Sequence, residues 1–468
     1  MPVKLFDSQA HELVEFTPLV PGHVSLYVCG PTVQSSPHVG HLRSALVYDL
    51  WARWLEYRGF QVTVVRNVTD IDDKILEASS GSAEQWWALA ERVEAEFQDA
   101  ADALGISRPT KQPRATGDIP SMLELISTLM SSGHAYSAED GSGDVYFDVS
   151  QWSDYGELTH QKVEDLRSGS GHGSMEAGAK RNPEDFALWK GHKASEPDTA
   201  SWSAPWGAGR PGWHLECTAM ATRYLGSSFD IHGGGMDLRF PHHENELAQA
   251  RAAGHGYANH WLHNALVTVQ GNKMSKSLGN GVLAAEMLGE ARPLVIRYAL
   301  ASAHYRSELD LHEGFLAEAG TAFGRIESFL ARAETHGITT SGGEIPEAFA
   351  QAMDDDLGIP AALAVLHDTV RQGNHAADES ASDAFATAAK QVRAMLAVLG
   401  LDPLGSQWGK DPGSDDALEA LVENVLALRG KAKSEKDFAL SDALRAALDR
   451  SGIDVHDEPT TSTWSIRG

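Results

Sequence analysis

Two cysteines, two histidine clusters and a lysine-bearing loop are the groups in this sequence best suited to chemistry. Cys29 and Cys217 are the only cysteines among 468 residues. Cys29 shortly precedes His38-Val39-Gly40-His41, and Cys217 closes the string PGWHLEC. A third string, FPHHENE, runs from Phe240 to Glu246. Within it His242 and Glu246 stand one helical turn apart and share a helix face. Two thiolates, one imidazole and one carboxylate form an ordinary tetrahedral donor set for zinc. Alone, the His-x-x-x-Glu pair reads more readily as an exposed hydrogen-bonded pair. The setting of the two cysteines, in motifs rich in Gly and Trp, favours the metal. A disulfide is the other alternative, disfavoured in a cytosolic setting. A closed structural zinc is a third, and the nucleotide motifs argue against it.

His38, Gly40 and His41 stand where a strand gives way to a helix, expected over residues 42–58. A phosphate fits such a helix start, where backbone N–H groups and the dipole favour negative charge. Gly40 permits close approach, and the imidazoles can donate to developing negative charge. Alone, the four residues read more readily as two surface histidines beside a turn. Further on, GNKMSKSLGN sets Lys273 and Lys276 between Gly271 and Gly279. A loop of this kind folds over a triphosphate and neutralises a leaving pyrophosphate; the alternative, a solvated basic loop, is disfavoured because the full pentamer KMSKS is a specific string. Gly234, in the run Gly233-Gly234-Gly235 after a strand, suits close backbone approach to a ligand, or merely a turn.

The elements that must position these groups follow from periodicity. A strand over residues 24–28, the helix after it and a strand over 61–68 form a βαβ unit, whose ligand site lies at the strands' carboxyl ends. Between residues 111 and 205 the pattern changes, with a strand-like stretch at 143–149 and a Gly/Ser-rich loop at 168–178. This predicts an inserted subdomain. The sheet resumes near Trp213 with a strand at 228–232. FPHHENE is expected to start the next helix, and 262–269 to be a strand. Helices are expected over 316–332, 346–372 and 381–399. Residues 400–414 look like a boundary before a terminal unit with helices near 416–428 and 437–450. There Trp464, with Arg429, Lys431, Lys433 and Lys436, can stack a base and bind phosphate. A helix hairpin with a solvated basic face accounts for them equally well.

Composition sets limits. The formal charge of −27 excludes binding nucleic acid by bulk charge and leaves room for a local basic face. The hydrophobic fraction of 42% suits a globular chain of several domains. No run approaches the roughly 18 apolar residues of a membrane span. No signal peptide is evident, and two cysteines make no disulfide framework. A cytoplasmic location is expected.

HVGH and KMSKS, in this order, resemble the two signatures of class I aminoacyl-tRNA synthetases. With Cys29-Gly30, VRNVTDIDDKI, PWGAGRPGWHLEC, FDIHGGGMDL and FPHHENELAQ, the chain resembles the cysteinyl-tRNA synthetase family over nearly its whole length. The implied fold is α/β: a Rossmann-type parallel-sheet catalytic core with an inserted subdomain, then an α-helical bundle and a small C-terminal anticodon-binding domain. The expected boundaries are 1–110 and 206–272 for the catalytic halves, 111–205 for the insertion and 273–320 for the KMSKS and stem-contact region. The bundle takes 321–405 and the anticodon-binding domain 406–468.

The resemblance implies one zinc ion per chain, held by Cys29, Cys217, His242 and Glu246. It places ATP, with Mg2+, at His38, Gly40, His41, Gly234, Lys273 and Lys276, and L-cysteine at Thr69, Trp213 and His232. Asp442, Asp457, Trp464 and either Arg429 or Lys433 would read the anticodon of tRNA(Cys). A monomer is implied. Val39 replaces a frequent Ile, and Gln34-Ser35-Ser36 replaces a Tyr-Asp pair whose ATP contact is then in question. The implied reaction joins cysteine to tRNA through cysteinyl-adenylate. Serine is smaller than cysteine, so size cannot exclude it, but a zinc–thiolate bond can. A cysteine ligase of mycothiol synthesis, joining cysteine to an amino-sugar, shares the core but typically lacks the anticodon unit. A non-catalytic zinc- or RNA-binding paralogue would have no use for the ATP loop.

Overall fold

Alternating apolar residues of the first seventy build one side of a parallel sheet. The structure is a computed structural model describing residues 2–161, 180–274, 279–405, 408, 412–435, 437–457 and 462–466. The chain divides into two units, Met1–Pro403 and Leu404–Gly468. An antiparallel pair, β1 (Lys4–Asp7) and β2 (Glu12–Glu15), comes first. Then β3 (His23–Val28), α1 (Val39–Tyr57) and β4 (Gln61–Arg66) form the first βαβ unit. Helix α1 buries Leu42, Leu46, Leu50 and Trp54, which recur every fourth residue along one face.

Three helices follow: α2 (Asp73–Ser79), α3 (Trp86–Ala103) and α4 (Ile119–Ser131). A separate antiparallel sheet then forms from β5 (Ala135–Ser137), β6 (Val145–Phe147), β7 (Phe186–Gly191) and β8 (Gly209–Pro211). After α5 (Trp213–Leu225) the main sheet resumes with β9 (Ser228–Gly235), α6 (Glu244–Ala252) and β10 (Tyr257–Asn264). Its order is β10-β9-β3-β4, all parallel. The chain departs from β3 on one side and returns beside it on the other. Cys29 lies at the carboxyl end of β3, at this switch point, where open α/β sheets bind ligands.

Three expectations need correction. The glycine run Gly233–Gly235 belongs to β9 and is no turn. A Cβ on Gly233 would lie 2.2 Å from Tyr48 Cε1, so the ring covering the strand requires glycine there. The strand expected over 262–269 is two, β10 and β11 (Val267–Val269), in different sheets; β11 lies between β12 (Asn272–Lys273) and β13 (Leu309–Leu311). The Arg43 guanidinium holds the break by donating to Ala265 O and Leu266 O. The helix expected over 346–372 splits into Glu347–Asp354 and Ile359–Asp378. Asp356 and Leu357 between them have φ of 57° and 52°. The buried Asp356 carboxylate accepts from Phe6 N, Tyr305 Oη and Arg306 Nε, at 2.6–2.8 Å. This interaction offsets the cost of the left-handed backbone.

Arg297, fully buried on the helix Pro293–Ala301, ties the chain near Leu399 to α1 and to the end of α3. It donates to Asp49 Oδ2 of α1 at 2.6 Å, to Leu399 O, and to Leu104 O and Gly105 O. Burial raises the Asp49 carboxyl, but Arg297 and then Arg53 more than offset this and hold it below the usual range. Asp49→Asn leaves Arg297 buried without its counter-charge. It should destabilise the unit by about 3–5 kcal/mol, read as a lower urea midpoint at unchanged slope. A depressed carboxylate stabilises above its unfolded value near pH 4 and loses that share as pH falls through the lower folded value. The difference between wild type and Asp49→Asn should therefore shrink only under strong acid.

In the second unit, helices Pro412–Ser434 and Phe438–Arg450 precede an antiparallel pair, β14 (Ile453–Asp457) and β15 (Ser462–Ile466). The helices are as expected in number; the strand pair is an addition. Val422, Leu448, Ile453 and Val455 form its small core, against which Trp464 packs.

Candidate metal centre and active site

The end of β3, the first turns of α5 and the start of α6 bring four donors into one buried place. Cys29 Sγ lies 3.5 Å from Cys217 Sγ and 3.5 Å from Glu246 Oε1. His242 Nε2 lies 3.0 Å from Glu246 Oε1. All four ligand atoms fall within 4.8 Å of one another, and both cysteines are free thiols. A tetrahedral ion with bonds of 2.0–2.3 Å would set its donors about 3.3–3.8 Å apart, close to this spacing. The set therefore fits a metal ion and is neither a disulfide nor an exposed pair. FPHHENE does not simply begin a helix. Arg239–His243 form a wider turn with Phe240 extended, and the regular helix starts at Glu244. His242 and Glu246 still meet across one turn.

The residues that hold these donors come mostly from other elements. Glu246 Oε2 accepts from His232 Nε2 at 2.8 Å and from Tyr257 Oη at 2.7 Å. His242 Nδ1 lies 3.0 Å from His214 Nδ1, leaving Nε2 to face the cluster. Trp213 stacks on His242, with ring centres 4.2 Å apart. Glu244 instead anchors the insertion by accepting from Gly156 N, Thr159 N and Thr159 Oγ1. His243 joins His263 at 2.8 Å and lies beside His232. His214 and Glu216 share the string of Cys217, while no motif marks Tyr257.

Electrostatics favour the ionised forms of Cys217 and Glu246 and oppose that of Cys29. Burial raises the Cys29 thiol, and its hydrogen bond toward Cys217 adds to this. Burial also opposes ionisation of Cys217, but the Cys29 hydrogen bond and the His242 charge bring it below the usual thiol value. Glu246 is lowered against burial by His232 and His242. His242 is raised against burial by Glu246 and Cys217. Gly30, next to Cys29, donates to Asn67 Oδ1 at 2.8 Å, and a Cβ there would fall 1.6 Å from Asn67 O. Gly30→Ala should thus displace the Cys29 loop, lowering Tm by the equivalent of about 3 kcal/mol, with bound zinc falling in parallel.

At the start of α1, His38 caps the helix. Gly40 N donates to His38 Nδ1 at 3.1 Å, and His38 N donates to His41 Nδ1 at 3.2 Å. With Nδ1 accepting, each neutral ring carries its proton on Nε2. Burial, then His38, lowers His41 to about 3. Val39 N donates to Val282 O, and Ala284 N to Pro37 O, so the segment after KMSKS pairs with the first signature. A Cβ on Gly40 would lie 3.4 Å from Met274 Cε, so the methionine of KMSKS also lies close by. Lys273 is exposed on β12. Lys276 lies outside the described residues. Gly234 is buried; its N and O bond Tyr48 Oη, and a Cβ would meet His243 at 2.7 Å.

Thr69 and His232 are buried and Trp213 is half-buried; His232 and Trp213 touch the candidate donors Glu246 and His242, and Thr69 touches Glu216. Thr69 Oγ1 donates to Glu216 Oε2 at 2.8 Å, and His232 bonds Glu246. In the second unit Asp442 and Lys433 are exposed, Arg429 is buried, and Trp464 is half-buried opposite Val455 on β15. Asp457 lies at the end of β14. Lys436 lies outside the described residues.

Residues 15–321 match the family model for the tRNA synthetases class I (C) catalytic domain, and residues 348–403 that for the DALR domain. The chain is 55% identical to a cysteine–tRNA ligase of Clavibacter sepedonicus and 56% identical to one of Leifsonia xyli, with full coverage of both chains in each case. It is 51% identical to one of Streptomyces avermitilis, covering 100% of this chain and 99% of that one. Among solved structures, Mycobacterium tuberculosis methionyl-tRNA synthetase in complex with methionyl-adenylate shares the fold: TM-score 0.58, 16% identity, 90% of this chain and 96% of the other. Whole-length identity above one half, together with the catalytic-domain match, places this chain in the cysteine–tRNA ligase family of class I tRNA synthetases.

Proposed function

We propose that the chain uses ATP to join L-cysteine to tRNA(Cys) through a cysteinyl-adenylate, and that a zinc ion held by Cys29, Cys217, His242 and Glu246 selects the amino acid. The buried convergence of these four donors at the switch point carries the reading. Zinc in that set supplies a soft Lewis acid that binds a thiolate better than a hydroxyl. The chain's own residues do the rest. His232 and Tyr257 fix the Glu246 carboxylate, His214 and Trp213 fix the His242 ring, and Thr69, Trp213 and His232 border the amino acid. His38 and His41 present Nε2–H donors to the phosphates, beside Gly40 and Gly234, and Lys273 and Lys276 neutralise the leaving pyrophosphate with Mg2+. Attack of the cysteine carboxylate on the α-phosphorus needs mainly such positioning.

The helical and C-terminal segments, 321–405 and 406–468, serve the tRNA, with Asp442, Asp457, Trp464 and Arg429 or Lys433 toward the anticodon. The catalytic halves are 1–110 and 206–272, the insertion is 111–205, and 273–320 carries KMSKS and contacts the stem. No helix among the described residues is long and apolar enough to cross a membrane. A cytoplasmic monomer completes the reading. Purified protein should charge tRNA(Cys) with cysteine. Pyrophosphate exchange without charging would favour the amino-sugar ligase instead.

A further inference from the structure

We propose that Glu216 receives the α-ammonium group of the amino acid, so that the metal group binds the thiol while Glu216 fixes the other end; this rests on the proposed function. Glu216 sits on α5 directly before Cys217 and three residues after Trp213. Helical side chains tilt toward the N-terminus, so Glu216 reaches back to the level of Trp213, whose ring covers His242. The glutamate is wholly buried. One carboxyl oxygen, Oε2, accepts from Thr69 Oγ1 at 2.8 Å. Thr69 Oγ1 is in turn 3.3 Å from Asn67 Nδ2, and Asn67 Oδ1 accepts from Gly30 N at 2.8 Å. The carboxyl is thereby tied to the loop that follows Cys29, and it neighbours Cys217 on α5. Its other oxygen, Oε1, is buried and has no hydrogen-bond partner among the described residues.

A buried acceptor left unpaired is costly. Other buried side-chain atoms lack a partner too, and Glu216 Oε1 is set apart by belonging to a carboxyl directly beside Cys217. A partner supplied by the substrate explains this one. The chemistry of that partner is constrained. The thiol belongs beside Cys29 and Cys217, and the carboxylate must face the α-phosphate, far from another anion. Only the ammonium group of the amino acid both suits a carboxylate oxygen and remains unassigned. A salt-bridged ammonium would also orient the substrate carboxylate for attack.

The test uses the full chain loaded with cobalt(II) in place of zinc, reading the thiolate-to-cobalt absorption band. L-Cysteine and 3-mercaptopropionate are titrated; the second keeps thiol and carboxylate and lacks the ammonium. Wild type should bind cysteine about 10–100-fold more tightly than 3-mercaptopropionate, the worth of one charged hydrogen bond. Glu216→Gln should remove most of that difference, weakening cysteine while leaving 3-mercaptopropionate within about twofold. Equal weakening of both thiols would mark Glu216 as merely structural and overturn the proposal, as would no change in either. The wild-type comparison stands even if the variant does not fold: equal affinity for the two thiols refutes an ammonium site. No band with either thiol in the wild type would overturn both this proposal and the metal–thiol reading, whereas a band without ammonium preference overturns this one alone.

Discussion

Cys217→Ser should yield a folded chain that retains little zinc and no longer prefers cysteine over serine. The substitution is nearly isosteric and lies on a helix whose neighbours Leu215, Ala219 and Met220 stay buried, so the packing survives. What is lost is one soft donor from a set of four. Loss of supporting hydrogen bonds alone lowers metal affinity about 10–100-fold, and loss of a ligand should exceed that. Without the metal, Cys29 is a buried thiol held protonated, and the pocket distinguishes S from O only by size. Size discriminates weakly, and serine is the smaller molecule. Zinc content after dialysis and pyrophosphate exchange with each amino acid read both effects. Retained selectivity in a zinc-free variant would sink the metal account of recognition.

The second large effect belongs to the first nucleotide signature. His38→Ala should lower kcat for pyrophosphate exchange about 10²–10³-fold, the usual result of removing one preorganised donor, with KM for cysteine little changed. Gly40 N donates to His38 Nδ1, so the neutral His38 ring presents its proton on Nε2. His41 is held neutral down to about 3 by burial and by His38, so it too serves as a hydrogen-bond donor rather than a cation. His38→Asn, which retains a donor, should recover part of the rate. A large rise in KM for cysteine at unchanged kcat would instead place His38 in the amino-acid pocket.

Much of the frame was legible because periodicity and punctuation agree in it. Strand β3, helix α1 and strand β4 follow from alternation, the helical apolar face and a stop at Gly59. The four candidate metal donors stood out because cysteine is rare here and His242 and Glu246 share one helical turn. The supporting layer was harder to read because it is assembled by tertiary contact. Tyr257 reaches Glu246 from the start of β10, and no local pattern announces this. The break at Asp356 is similarly tertiary: its carboxylate is bound by Phe6, Tyr305 and Arg306, distant in sequence, which override helix propensity. The glycine run in β9 reads from composition as close approach to a ligand or as a turn; what lies against it is the chain's own Tyr48 and His243.

The central claim, that a metal–thiol bond selects the substrate of a tRNA ligase, is tested most directly by ATP–pyrophosphate exchange with cysteine and with serine. The protein should be of known zinc content, and tRNA(Cys) should then be added to the same reaction. The account predicts exchange with cysteine alone, in proportion to zinc, followed by charged tRNA. Equal exchange with serine, or full exchange with cysteine after zinc is removed, would contradict it.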